Sequence, residues 1–188
     1  MRERKVTINL VKANVFGIVV FLAAAIVFGG LFLLIWGHRL DEIHMLPEGS
    51  AWSGIAFVAI LMLGIVVHEL IHGATWACFA KRGFKSISYG VIWKYLTPYA
   101  HCDEPMHIRP YQLACLMPCF LLGIVPSVVS LFTGSFPWLF FGLLYIAAAA
   151  GDIWMAWLLQ KENPQSTVLD HPSEAGFYIY DEEESEMK

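Results

Sequence analysis

Charged residues are scarce in this chain: they make up 15% of its 188 residues, whereas hydrophobic residues make up 57%. Soluble domains carry about 25% charge, and the mean hydropathy of +0.59 is typical of a polytopic membrane protein. No basic stripe and no nucleic-acid-binding motif is present, which excludes that class of partner. The net charge of −4 says little, because the charges are segregated along the chain.

The sequence also lacks a C-x-x-C pair. It has four cysteines, three of which lie in apolar runs, so neither a disulfide framework nor a cysteine-based zinc site is predicted. We expect reduced, packed thiols. The four are Cys78, Cys102, Cys115 and Cys119.

Four long runs carry almost no charge, and each is long enough to cross a bilayer of about 30 Å as a helix. They cover about residues 13–36, 51–80, 111–133 and 136–160. The first run is long for a signal peptide and is followed by a poor cleavage site, so we expect a retained helix. Pro118 and Pro126 should kink the third run.

These runs predict an all-α polytopic membrane protein with four transmembrane helices and a short β-like cytoplasmic loop between the second and third. The loop prediction comes from residues 84–96, where partial alternation favours one or two strands, turning at Gly90. Residues 1–160 are predicted to form the membrane domain and residues 161–188 an acidic cytoplasmic tail, partly disordered at its end.

The basic residues predict the orientation. With a cytoplasmic N-terminus and four spans, Arg39 is the only one of the 12 Lys and Arg residues outside the cell. Cytoplasmic loops are enriched in Lys and Arg. We therefore expect a multi-pass protein of the cell membrane with both termini in the cytoplasm.

The second run contains an H-E-x-x-H motif, from His68 to His72. On an α-helix, positions i and i+4 lie about 40° apart around the axis, so both imidazoles can face one metal ion. Glu69 can face a water bound to that ion and accept its proton. Ionisable groups in an apolar run are costly unless they have a function, so the pattern predicts a Zn²⁺ site with Glu69 as general base.

A catalytic zinc site usually has three protein ligands, and depth in the membrane suggests the third. His72 lies nine residues before Lys81, and Asp152 lies nine residues before Lys161. At 1.5 Å per residue both are roughly 13 Å from the same end of their helices. We therefore predict His68, His72 and Asp152 as the metal ligands.

Other assignments remain open. Asp152 could instead make a helix-packing hydrogen bond, and the loop residues His101, Asp103 and Glu104 are alternative third ligands. A third histidine ten residues after the first, as in a longer zincin motif, is excluded because position 78 is a cysteine. His101 could also donate a hydrogen bond to an oxyanion, but for both His101 and His171 we favour a solvated interfacial position.

Three segments carry a family resemblance: HELIHG at 68–73, TPYAHC at 97–102 and DHPSEAG at 170–176. A motif-bearing helix followed by a later helix with an aspartate resembles the site-2 protease class of intramembrane metalloproteases. The three segments together more closely resemble a bacterial membrane family named putative zincin peptidases, over about residues 51–180. In the site-2 class the third ligand belongs to an Asp-Gly pair, whereas here the order is Gly151-Asp152.

The residues and the resemblance together predict a membrane-embedded zinc metalloprotease. Its substrates would be proteins or peptides in or near the membrane. We expect it to lie in the lipid bilayer, with an oligomer as a possible state. The alternative is a non-catalytic metal-binding membrane protein with a transport, structural or adaptor role. Glu69 discriminates between them, because structural or transport binding needs no carboxylate that is not itself a ligand.

Overall fold

The structure is a computed structural model that describes residues 2–42, 51–93, 97–171 and 176–181. The strands are β1 (Arg2–Thr7), β2 (Ile87–Ile92), β3 (Thr97–Cys102), β4 (Met106–His107), β5 (Thr167–Asp170) and β6 (Gly176–Asp181). The α-helices are α1 (Leu10–Ala24), α2 (Gly30–Trp36), α3 (Ala51–Ala77), α4 (Ile108–Pro118), α5 (Val125–Thr133), α6 (Phe136–Ala148) and α7 (Ala150–Leu159).

The prediction of an all-α fold with four membrane helices is wrong. The protein is 68% helical, but 17% of it forms strands, and four of these strands make an antiparallel sheet. The strands are two to six residues long, and β1 pairs with β6 from the opposite end of the chain. Such short segments, paired over long sequence distances, leave little local pattern, since strand propensity depends strongly on context.

The four-stranded sheet has the order β1-β6-β5-β4. Its first strand alternates between exposed and partly buried residues, so that Arg4 and Val6 lie on the same face. Val6 packs against the buried core, and the Arg4 guanidinium forms ion pairs with Glu162 and Asp181. The predicted tail therefore contributes β5 and β6 to a packed sheet, while residues 182–188 lie outside the described residues.

Three helical segments are long and apolar enough to cross a membrane: Val11–Arg39, Gly54–Ala77 and Ile108–Thr133. The fourth predicted span is not one straight helix, because α6 and α7 meet at an angle of 47° at Ala149. Aliphatic side chains on the spans are widely exposed, up to 82% at Leu34. A water-soluble surface rarely shows such extended apolar area, whereas lipid tails accommodate it.

Six residues between α4 and α5 adopt a π-helix, Cys119–Ile124. Pro118 and Pro126, which lack an N–H, lie on either side of it. The predicted interruption of the third span is thus found as a π-helical segment, one of the adjustments by which membrane helices accommodate proline.

The chain divides into two compact units. The first comprises Met1–Ala13, Glu69–Met117 and Gly151–Lys188, and the second comprises Asn14–His68 and Pro118–Ala150. The core of the first unit joins residues from α3, α4 and α7 to the sheet, with the free thiols of Cys102 and Cys115 buried within it. The core members are Trp76, Cys102, Met106, Ile108, Tyr111, Ala114, Cys115, Ala156, Leu159, Val168, Phe177 and Ile179.

The predicted strand region between the second and third spans is an antiparallel hairpin of β2 and β3. Gly90 is not its turn. It lies inside β2, opposite Tyr99, where a Cβ atom would come within 2.6 Å of the tyrosine ring. The glycine thus leaves room for an aromatic ring on the neighbouring strand.

Helix packing in the second unit predicts a strong effect of one glycine substitution. A Cβ at Gly142 would lie 2.2 Å from Ser127 Oγ, 2.6 Å from the Gly123 carbonyl oxygen and 2.8 Å from the Ser127 nitrogen. Gly142→Ala should lower the free energy of unfolding by about 1–3 kcal/mol, because backbone atoms must move apart. Thermal unfolding in detergent measures the loss.

Gly30→Ala is the matched control, since no atom would lie within 4 Å of the new Cβ. It should leave the melting temperature unchanged or slightly raised, as alanine favours helix. Equal effects of the two substitutions would contradict the close packing of α5 and α6.

Candidate metal centre

The H-E-x-x-H motif lies within the continuous helix α3, as the apolar periodicity predicts. His68 and His72 are one helical turn apart and both are buried, with 8% and 5% of their surface exposed. Helical geometry therefore places both imidazoles on one side of α3. Burial of two polar rings in an apolar helix requires that their nitrogens find partners.

Each ring nitrogen of His72 faces an oxygen atom of another helix. Its Nδ1 lies 2.8 Å from the carbonyl oxygen of Ala114 in α4, and its Nε2 lies 3.5 Å from Asp152 Oδ1 in α7. A carbonyl oxygen can only accept, so Nδ1 carries the proton and donates it. In the neutral ring Nε2 then has the lone pair, which is the arrangement of metal-ligating histidines whose other nitrogen is held by a carbonyl.

The ligand atoms of His68, His72 and Asp152 all lie within 4.8 Å of one another, and among the described residues this is the one such group of three or more. Two imidazoles and a carboxylate are a donor set that zinc accepts at about 2.0–2.2 Å, which puts neighbouring ligand atoms about 3.3 Å apart in a tetrahedral site. The observed 3.5 Å from His72 to Asp152 is close to that value. The residues present therefore fit a zinc ion.

Glu69 is positioned differently from the two histidines. Its Oε2 accepts a hydrogen bond of 2.9 Å from the backbone N–H of Ala100 in β3. A hydrogen bond from a backbone N–H fixes the direction of a carboxylate. Glu69 is only partly buried, so it combines a fixed orientation with access to water, as a general base requires.

The hairpin approaches α3 closely at the residue after the motif. A Cβ at Gly73 would lie 2.2 Å from the Tyr89 hydroxyl and 2.7 Å from Cγ2 of Ile87, both in β2. Glycine at this position lets the hairpin reach the helix, and this contact brings Ala100 to Glu69. On the other side of the motif, Trp76 stacks on His72 with ring centroids 5.5 Å apart.

The alternative third ligands have other partners. Asp103 and Glu104 form ion pairs with Arg82, and the hydrogen bond from Arg82 lowers the pKa of Glu104. His101 Nδ1 lies 2.9 Å from Asp170 Oδ2, and this hydrogen bond raises the pKa of His101 above its ordinary value. The structure does not gather these residues with His68 and His72, although the ligand assignment itself stays a prediction.

His171 takes no part in the three-residue group either. It is buried and stacks on Tyr178, whose hydroxyl lies 3.0 Å from its Nε2. A solvated interfacial position does not describe it, since 8% of its surface is exposed. Among the described residues, His171 contacts Tyr178 of β6.

Sequence reasoning missed the groups that orient the site. The Ala114 carbonyl and the Ala100 N–H are backbone atoms, so no residue type could reveal them. Asp170 and Tyr111 were accessible in principle. Asp170 lies in a segment that carries the family resemblance, and Tyr111 places a hydroxyl at the start of an apolar run, where buried hydroxyls need partners.

A comparison of the sequence with known families matches residues 61–167 to the family described as "Putative zincin peptidase". The chain belongs to this family. The matched region contains α3 from its middle onward, the β2–β3 hairpin, the candidate span Ile108–Thr133 and the bent α6–α7 pair, which includes Asp152. The DHPSEAG segment, which begins at Asp170, lies just beyond it. No curated protein and no solved structure matches the chain.

Membership of a zincin family implies zinc, and the ligand set predicts which substitutions remove it. His72→Ala and Asp152→Ala should each lower zinc affinity at least 10–100-fold, because each removes one of three protein ligands. Elemental analysis of protein purified in detergent and dialysed against a weak chelator measures bound zinc per chain.

Asp103→Ala is the matched control, because its carboxylate is exposed and pairs with Arg82; it should retain the wild-type zinc content. Full zinc in the Asp152 variant, together with loss in a His101→Ala variant, would overturn the assignment of the third ligand.

Proposed function

We propose that this protein is a membrane-embedded zinc metallopeptidase, similar to the site-2 protease class, that hydrolyses peptide bonds of membrane or membrane-proximal substrates. The observation that carries the proposal is the position of Glu69. Glu69 follows His68 directly in the sequence, but the three-residue group consists of His68, His72 and Asp152. The Glu69 carboxylate instead accepts a hydrogen bond from the Ala100 N–H. A non-ligand carboxylate beside a zinc site is the arrangement of a general base.

The residues of the chain divide the chemistry between them. When bound, zinc lowers the pKa of a water toward about 7 and polarises the substrate carbonyl. Glu69 accepts a proton from the attacking water while the water oxygen bonds to the carbonyl carbon. The C–N bond then breaks, and Glu69 passes the proton to the leaving amine. Ala100 keeps the Glu69 carboxylate in one orientation during both transfers.

The outer edge of β3 is where an extended substrate could lie. Asp103 N–H bonds to the Ser86 carbonyl, and β2 and β3 are antiparallel. Because hydrogen-bonded and non-hydrogen-bonded pairs alternate, the N–H and carbonyl of Ala100 point away from β2. Ala100 N–H indeed bonds to Glu69. A peptide added along this edge would run beside the general base.

The pairing of strands in one sheet supports a topology in which β1 and β6 lie on the same side of the membrane. Strands β1, β4, β5 and β6 belong to one sheet. Two candidate spans lie between β1 and β4, and one span and the bent α6–α7 pair lie between β4 and β5. Strands of one sheet must lie on the same side of the membrane, so the bent α6–α7 pair would cross the membrane once. The distribution of Lys and Arg favours the cytoplasm for that side.

Glu69→Gln should lower the rate of peptide hydrolysis at least about 10²-fold, as is typical when a general base is lost. The variant should still bind zinc. The protein would be reconstituted in phosphatidylcholine liposomes with a library of single-span peptides. Mass spectrometry of new peptide termini and elemental analysis of zinc are the two measurements.

Glu3→Gln serves as the control, since Glu3 is an exposed glutamate of β1, and it should cleave like the wild type. Cleavage by Glu69→Gln at the wild-type rate would contradict the role of Glu69. A zinc-replete wild type that cleaves no peptide of the library would favour the non-catalytic metal-binding alternative.

A further inference from the structure

A second cluster of polar side chains lies near the candidate metal centre, and the proposed hydrolysis by Glu69 assigns it no role. Its centre is Asp170, the last residue of β5. One carboxylate oxygen, Oδ2, lies 2.9 Å from Nδ1 of His101, and the other, Oδ1, accepts a hydrogen bond of 2.9 Å from the Tyr111 hydroxyl. His101 and Asp170 are partly buried, with 18% and 14% of their side chains exposed, and Tyr111 is fully buried.

The cluster touches both supports of the candidate site. His101 directly follows Ala100, whose N–H holds Glu69, and neighbouring Cα atoms are about 3.8 Å apart. Tyr111 lies one turn before Ala114, whose carbonyl holds His72. The ring of Tyr111 is also 5.7 Å from that of Trp76, which stacks on His72. Asp170 is therefore bonded to the two elements, β3 and α4, that orient the base and a ligand.

The charge on His101 follows from its surroundings. The groups that face it are Asp170 from β5 and Asp103 from the end of its own strand, and the hydrogen bond to Asp170 raises its pKa. Cys102 beside it stays a neutral thiol, because burial raises the pKa of that group. A protonated imidazole donates from both nitrogens. With Nδ1–H given to Asp170, Nε2–H remains for another acceptor.

We propose that His101 is a further catalytic residue, a protonated donor to the oxygen that becomes negative when the peptide carbonyl is attacked, and that Asp170 is the residue that positions it. This inference rests on the proposed peptidase function. The geometry that carries it is the placement of the Asp170–His101 pair one residue from Ala100, whose N–H holds Glu69, with 18% of the His101 side chain left exposed.

The step balances without a net transfer at His101. The water oxygen bonds to the carbonyl carbon, the C=O π electrons move to the oxygen, and that oxygen accepts the hydrogen bond from Nε2–H. When the C–N bond breaks, the amine takes the proton from Glu69, and His101 keeps its own. A fixed donor aimed at the developing oxyanion is worth about 10²–10³ in kcat.

The first experiment measures kcat and KM of His101→Ala on the library peptide that the wild type cleaves fastest. We expect kcat to fall about 10²–10³-fold with KM changed little and with full zinc occupancy, because a transition-state contact is lost and no ligand is. His107→Ala is the matched control, an exposed histidine of β4, and should behave like the wild type.

The second experiment follows the pH dependence. A raised pKa keeps His101 protonated below its ordinary value of about 6.5 and for some distance above it, so the activity of the wild type should be lost as pH rises through the raised pKa. Asp170→Asn removes the negative partner and should move this loss to lower pH. Tyr111→Phe keeps the carboxylate beside His101 and should leave the limb near its wild-type position.

Titration of His101 by NMR in labelled protein gives a readout besides activity, and its pKa should fall in Asp170→Asn but not in Tyr111→Phe. The proposal is overturned if His101→Ala keeps the wild-type kcat, or if Asp170→Asn leaves both the NMR pKa and the pH limb unchanged. A zinc-replete wild type without any hydrolysis overturns the proposed function itself, and this inference with it.

Discussion

An imidazole inside an apolar helix must give both ring nitrogens a partner, and His72 shows how this chain meets that constraint. The Ala114 carbonyl takes the Nδ1 proton at 2.8 Å, and Asp152 faces Nε2 at 3.5 Å. The hydrogen bond to Ala114 selects the tautomer, and the Nε2 lone pair and the Asp152 carboxylate then face each other as two potential ligands of one metal ion. The helices α3, α4 and α7 must therefore keep their relative positions, because a shift of any one of them leaves a buried polar group without compensation.

The strands join the chain segments next to these helices. The four-stranded sheet joins strands from the start of the chain, from the region before α4 and from the region after α7, while the β2–β3 hairpin lies against α3 at Gly73. Asp170 links β5 to β3 through His101 and to α4 through Tyr111. Polar chemistry and apolar spans thus depend on each other. The apolar helices α3 and α7 carry His72 and Asp152, and β3 carries the backbone group that orients Glu69.

Local patterns predicted the features that depend on composition and helical spacing. Of the four predicted spans, three correspond to helical segments long and apolar enough to cross a membrane, and the fourth is bent between α6 and α7. The H-E-x-x-H spacing predicted two histidines on one side of a helix. Matching depth suggested Asp152, which the structure places in the same group. The sheet could not be predicted, because β1 looks like a basic flank to a span and β5 like part of a polar tail until their partners are known. The bend at Ala149 between α6 and α7 could not be predicted either, because no proline lies near it in the sequence.

The most direct test of this account is X-ray absorption spectroscopy at the zinc edge of the purified, zinc-loaded protein in detergent. The account predicts nitrogen and oxygen scatterers at about 2.0–2.2 Å, with the outer-shell pattern of two imidazoles. In the Asp152→Ala variant the imidazole pattern should persist in any zinc that remains. A sulfur scatterer at about 2.3 Å, or a wild-type spectrum with no imidazole contribution, would contradict the assignment of the site to His68, His72 and Asp152.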